Sequence, residues 1–244
     1  MKDLRTETLG FLVAEQPLRA AVFDQFGLDY CCGGKQTLQA SCADNTVDPN
    51  LVLAKLSEID AVSEDKENGE NWLNASISEL VDHIQHTHHA YLKLELPRLQ
   101  TLVDKVSRVH GVKEPRLVQA ASVFSNMRQE IEQHTMKEEM VVFPFLRTLD
   151  QRKELHKTPF DSVSNPLHCL ESEHSDAGDA LIKLRALTDN YTVPDYACSS
   201  WLALVSGLAK FDRDLRTHIH KENSILFPKA IEAECARAKI PCTH

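Results

Sequence analysis

Apolar residues recur at helical spacing along most of this chain, and no stretch alternates apolar and polar positions as a half-buried strand would. From Leu9 to Phe26 they fall on one helical face (Leu9, Leu12, Val13, Leu18, Val22, Phe23, Phe26), and Gly27 follows as a stop. Asp48-Pro49 pairs an N-cap with a proline at the first helical position and opens a stretch carrying Leu51, Leu53, Leu56 and Ile59. Residues 61–75 then turn polar, acidic and aperiodic, as a linker does. A flexible chain of that length spans about 20 Å.

Four longer helical stretches follow. Ser76-Ile77-Ser78-Glu79 is a capping box that opens the first, which runs to about His110 with Gly111 as its stop and Pro97 as an expected kink. The second runs from Glu114-Pro115 to about Thr148. Asn165-Pro166 caps the third, which ends near Asn190, and the fourth runs from near Pro194 to about Ala236. Long helices joined by short loops pack as antiparallel neighbours. The expectation is an all-α protein: a small helical N-terminal domain over residues 1–60, the linker, and a four-helix bundle over 76–240.

Composition narrows the function. The chain has 244 residues and a net charge of −9, an acidic balance that argues against sequence-independent nucleic-acid binding. No apolar run approaches the ~18 residues of a membrane span. The opening segment MKDLRTETLGFLVAEQ lacks the apolar core of a secretory signal, so a cytoplasmic protein is expected. Seven cysteines without a C-x-x-C pair read as free thiols.

The twelve histidines carry the chemistry. The pattern HxxKExxxxFP occurs twice, from His134 to Pro144 and from His218 to Pro228. Each copy is preceded, one helix earlier, by another histidine: His89, with His86 and His88 close by on spacing, and His174. Residues four apart share a helix face, so His134 points with Glu138 and His218 with Glu222. These faces are apolar. His134 shares one with Phe124, Met127, Ile131 and Val141, and His218 with Leu204, Leu208, Phe211, Leu215 and Ile225. Four imidazoles and two carboxylates brought into a bundle core suit two borderline divalent cations with the carboxylates bridging, because a buried carboxylate is costly without such a partner. Glu130 and Asp214, one turn before the repeat histidines, and Glu171 or Glu173 beside His174 are candidates to orient the imidazoles. His83, His86, His88, His156, His168 and His220 read as surface or outlying groups.

Adjacent Cys31-Cys32 beside Gly33-Gly34 form a second feature. A disulfide between neighbours would be strained, so the pair reads equally as a soft-metal or redox dithiol and as a buried cap. Cys42, Cys169, Cys198, Cys235 and Cys242 look isolated and inert.

DYCCGGKQTL at 29–38, HTMKEEMVVFP at 134–144, LESEHSDAG at 170–178 and HIHKENSILFP at 218–228 resemble the motifs of the Repair of Iron Centres family, a haemerythrin-like group. The resemblance implies a non-haem di-iron centre, oxo- or hydroxo-bridged, on His89, His134, Glu138, His174, His218 and Glu222. It selects His89 by its distance of seven residues from Leu96-Pro97. It also implies a cytoplasmic, homodimeric protein that helps restore iron–sulfur clusters damaged by nitric oxide or oxidants, with those damaged proteins and small oxidants as partners. Cys31 and Cys32 would take part in thiol transfer. The reading favours an iron donor over a turnover enzyme. The alternatives are a di-iron reductase of nitric oxide or peroxide, a di-iron sensor, and a two-zinc hydrolase. A reversible oxygen carrier of this type uses a fifth histidine, and here the position four after His174 is Gly178.

Overall fold

The computed structural model describes residues 3–63, 72–150 and 162–238. Most of the linker, His156 and Cys242 lie outside the described residues. Among the described residues there is no strand, only an isolated antiparallel bridge between Thr8 and Thr37. The chain divides into two compact units, Met1–Leu80 with Ile219–His244, and Val81–His218.

In the first unit, α1 (Leu9–Glu15) and α2 (Arg19–Phe26) are separate helices, where the apolar spacing predicts one. Pro17 is the cause: the residue before a proline is pushed out of the helical region, and Gln16 is extended at φ −141° and ψ 97°. Gly27 ends α2 at φ 69°, a conformation that glycine adopts at little cost. A further helix, α3 (Leu38–Asp44), had no expectation from the pattern. Thr8 caps α1 and Thr37 caps α3 through their hydroxyls, and the bridge between them ties the two starts together: Leu9 N–H donates to Gln36 O and Leu38 N–H to Glu7 O, each at 2.9 Å. α4 (Pro49–Ser63) starts where Asp48-Pro49 predicts. Arg19 is buried and locks α2 to α4 with a two-pronged bond to Asp60, at 2.9 and 2.8 Å. The core holds Leu9, Leu12, Phe23, Leu38, Val52 and Leu56.

The second unit is a four-helix bundle. Its first arm is α5 (Ile77–His83), which enters from the first unit, then a π-helical segment Ile84–His89 and α6 (Ala90–His110). The capping box forms as predicted, with Glu79 N–H bonded to Ser76 Oγ and Ser76 N–H to Glu79 Oε2. The second arm is α7 (Pro115–Lys137), a π segment Glu138–Val142 and α8 (Phe143–Asp150). The third is α9 (Ser164–Leu187) and the fourth α10 (Ser199–Lys221). α10 starts later than Pro194 suggests, at Ser199, after a turn in which Asp189, Asn190 and Tyr191 all take positive φ. Gly111 ends α6 in an ordinary right-handed conformation; a Cβ there would meet Ser107 O at 2.4 Å, so the need is for space rather than for positive φ. Phe124 and Phe211 pack edge to face at 5.9 Å in the core.

From Glu222 the fourth arm continues as the π segment Glu222–Leu226 and then α11 (Phe227–Ala238), so three π segments punctuate the long arms. In two of them the cause is visible in the repeated Phe-Pro. Phe143 N–H reaches back five residues to Glu138 O, Phe227 N–H does the same to Glu222 O, and the next residue, Pro144 or Pro228, has no N–H to offer. The wider turn holds one extra residue and slips the apolar stripe. Val141, expected beside His134, is 44% exposed, while Val142 takes the buried position at 4%.

Candidate metal centre

His89, Glu138 and Glu222 each belong to a π segment, a departure from the α-helix that concentrates at functional sites. His134 lies in the last turn of α7, His174 sits mid-way along α9, and His218 lies in the last turn of α10. All six side chains are buried.

Within the bundle unit the side chains form two triads that share one carboxylate. The ligating atoms of His89, Glu138 and His218 lie within 4.8 Å of one another, and so do those of His134, Glu138 and His174. His89 Nε2 is 3.3 Å from Glu138 Oε2, and His134 Nε2 is 3.3 Å from Glu138 Oε1. The imidazoles meet in pairs, Nε2 to Nε2: His89 with His218 at 3.2 Å and His134 with His174 at 3.0 Å. Glu222 follows His218 by four residues in the chain and opens a π segment, as Glu138 follows His134 and opens another.

Protons are placed from outside. His89 Nδ1 faces Glu139 Oε1 at 2.9 Å, and His134 Nδ1 faces Glu173 Oε2 at 2.8 Å. Burial pushes both carboxyls up, but their hydrogen-bond partners, Lys93 with His89 and Lys137 with His134, hold Glu139 and Glu173 below the ordinary carboxylate range. An ionised carboxylate only accepts, so Nδ1 carries the hydrogen, and in the neutral imidazole the lone pair is then on Nε2, the nitrogen facing inward. A cation between Nε2 and the Glu138 oxygens, 3.3 Å away, would be held by both. Imidazole nitrogens and carboxylate oxygens are the donor set for a borderline divalent ion such as iron, so the residues present fit such a group.

The orienting carboxylates differ in part from those the sequence suggests. Glu173 acts on His134 rather than on its neighbour His174. Glu139 is adjacent to a ligand candidate, and nothing in its spacing marks it as a partner of His89. Glu130 is exposed. Asp214 instead meets His88 Nδ1 at 3.1 Å, and the His88 ring stacks on His218 at 5.4 Å. His88 is therefore buried beside the site, and His220 is buried against Tyr30 with burial holding its pKa down to about 4; neither is a surface group.

Cys31 and Cys32 belong to the first unit. Asp29 builds their loop: Oδ1 accepts the N–H of Cys31 and of Cys32, each at 3.0 Å, and Oδ2 accepts Gly33 N–H at 2.9 Å. The two thiols are not joined in a disulfide, with sulfurs 3.7 Å apart; Cys31 is buried and Cys32 partly exposed. The hydrogen bond with Cys32, burial and the nearby Asp29 charge push the Cys31 thiol well up. Asp29, Cys31 and Cys32 form a second group whose atoms could hold a cation. The segment is docked on the start of the C-terminal arm. Asn223 Nδ2 donates to Cys31 O at 3.1 Å, and the Tyr30 ring meets His220 edge-on at 5.7 Å. Cys198 is not isolated, since its sulfur is 3.2 Å from His110 Nε2.

The sequence is similar to those of known proteins. Residues 80–230 match the haemerythrin HHE cation-binding domain, a non-haem iron-binding fold, and residues 5–60 match a domain of unknown function, DUF542. Among curated relatives, the iron–sulfur cluster repair protein YtfE of Musicola paradisiaca is 36% identical over 94% of this chain and 98% of its own length. Its namesakes from Dickeya chrysanthemi and Citrobacter koseri are each 34% identical, over 94% and 95% of this chain and 99% and 100% of their own. This chain belongs to the haemerythrin-domain family of iron–sulfur cluster repair proteins.

Proposed function

We propose that the chain holds two non-haem irons on His89, His134, Glu138, His174, His218 and Glu222, and that it helps repair iron–sulfur clusters damaged by nitrosative or oxidative stress by supplying iron. The observation that carries this reading is the pair of histidine triads meeting on Glu138. The names of the near-full-length relatives supply the repair role. Bound there, the irons would supply redox-active, exchangeable metal.

The protein's own groups have distinct tasks. Glu139 and Glu173 keep the protons of His89 and His134 on Nδ1 and so keep Nε2 available. Glu138 is shared by both triads, and Glu222, in the matching place of the second repeat, is the other carboxylate. Asp29 takes the Cys31 thiol hydrogen bond at 3.1 Å, leaving Cys32 as the more exposed sulfur to receive or hand on metal. The clients are damaged iron–sulfur proteins, and the repair protein is cytoplasmic and homodimeric. No described helix is long and apolar enough to cross a membrane.

Two measurements test the reading. Elemental analysis of protein from iron-replete cells is expected to find about two irons per chain; zinc in their place overturns the redox role. Reactivation of a nitric-oxide-damaged iron–sulfur enzyme is expected to require iron-loaded protein and to drop several-fold with Cys31→Ser/Cys32→Ser. Full activity of that double variant would remove the thiols from the pathway, and no reactivation by the wild type would remove the repair role.

A further inference from the structure

The far end of the bundle unit carries a second set of reactive groups. His110 closes α6, and it lies 21 residues beyond His89 on that arm, roughly 30 Å at helical rise. Cys198 immediately precedes α10, and its carbonyl accepts the N–H of Trp201 at 2.9 Å. Its exposed sulfur lies 3.2 Å from His110 Nε2, at the helix start. Buried Trp201 packs its ring on His110 at 4.9 Å and fixes that imidazole beside the thiol. A cysteine beside a histidine at the start of a long helix is the arrangement that stabilises a thiolate. Among the described residues the other exposed cysteine, Cys169, has the opposite neighbour, a Glu173 oxygen at 3.7 Å.

We propose that Cys198 is a modification site, an activated thiol that exchanges with low-molecular-weight disulfides with His110 as its proton partner. The Cys198 sulfur attacks one sulfur of the disulfide, and the new S–S bond forms as the old one breaks. The departing thiolate takes up the proton that Cys198 gave to His110. Cys198 is oxidised, the small disulfide is reduced to one thiol and one mixed disulfide, and no other reagent enters.

The expected rate follows from the thiol's acidity. The His110 hydrogen bond, then the amides of Trp201 and Ser200, bring Cys198 down to about 7. At pH 7 about half of it is ionised, against roughly one part in a hundred for a thiol near 9. The lower nucleophilicity of a more acidic thiol removes about eightfold of that gain, leaving about sixfold.

The test is incubation of the full chain with oxidised glutathione at pH 7, with the adduct at each cysteine quantified by peptide mass spectrometry. Cys198 is expected to react about sixfold faster than Cys169, and His110→Gln to slow Cys198 by a similar factor while leaving Cys169 unchanged. Equal rates at the two sites, or a His110→Gln protein in which Cys198 reacts as before, overturn the proposal. Should His110→Gln fail to fold, the wild-type comparison of Cys198 with Cys169, repeated with iodoacetamide, decides alone.

Discussion

The side-chain amide of Asn223 donates to the backbone carbonyl of Cys31 at 3.1 Å, across 192 residues of sequence and one residue past Glu222. Both residues belong to the first unit, so the dithiol segment is held on the start of its C-terminal segment. Gly10 and Gly34 make the contact close: Gly10 N–H donates to Gly34 O at 2.9 Å, with Ser224 against both.

That closeness can be tested at Gly34. A Cβ there would lie 2.6 Å from Tyr30 O, a backbone atom that cannot rotate away. Gly34→Ala is expected to destabilise the first unit by about 1–3 kcal/mol through overpacking. Urea unfolding followed by circular dichroism reads the loss, and faster alkylation of Cys31 reads the loosened loop.

Removing an orienting carboxylate should weaken metal binding without unfolding the bundle. Glu139→Ala and Glu173→Ala each leave an inward imidazole with no carboxylate on Nδ1. Metal affinity is expected to fall by about 10–100-fold, the usual effect of losing such a partner. Competition with a chelator gives the number; unchanged affinity would return these carboxylates to a purely surface role.

The π turn after Glu138 is expected to be indispensable. Deleting Met140 would convert it to an α turn and rotate Phe143, Leu146 and Leu149 by about 100° relative to Glu138. All three are buried, so the variant should either fail to fold or lose its metal, whereas Met140→Ala, at an exposed side chain, should do neither. Thermal melts and metal content distinguish the three proteins.

Asp212 ties α9, α10 and the turn between them together. It is buried and accepts from Arg185, Arg216 and the Tyr191 hydroxyl. Burial raises its pKa, but the Arg185 and Tyr191 hydrogen bonds and the arginine charges together hold it below the ordinary range. A carboxyl lowered by folding stabilises the fold fully above its unfolded value near pH 4, and that contribution is lost as pH falls through the folded value. Asp212→Asn is expected to cost about 3–5 kcal/mol at pH 7. The gap to wild type should narrow below pH 4 in urea titrations.

What the sequence determined by itself is local. The helices, the capping box, the Pro49 start and the paired HxxKE faces depend on residues within a few positions of one another, where spacing and side-chain type already contain the physics. The two carboxylate ligand candidates and their repeat histidines are legible for that reason. The break at Pro17 was legible too, through the restriction proline places on Gln16, but apolar spacing outweighed it. The tertiary structure decided the rest. Glu139 meets His89 across 50 residues, Glu173 meets His134 across 39, and Cys198 meets His110 across 88. Whether such groups touch depends on helix register and on where a π turn slips it by one residue. Register is set by the packing of whole faces, in which no single residue type announces its partner.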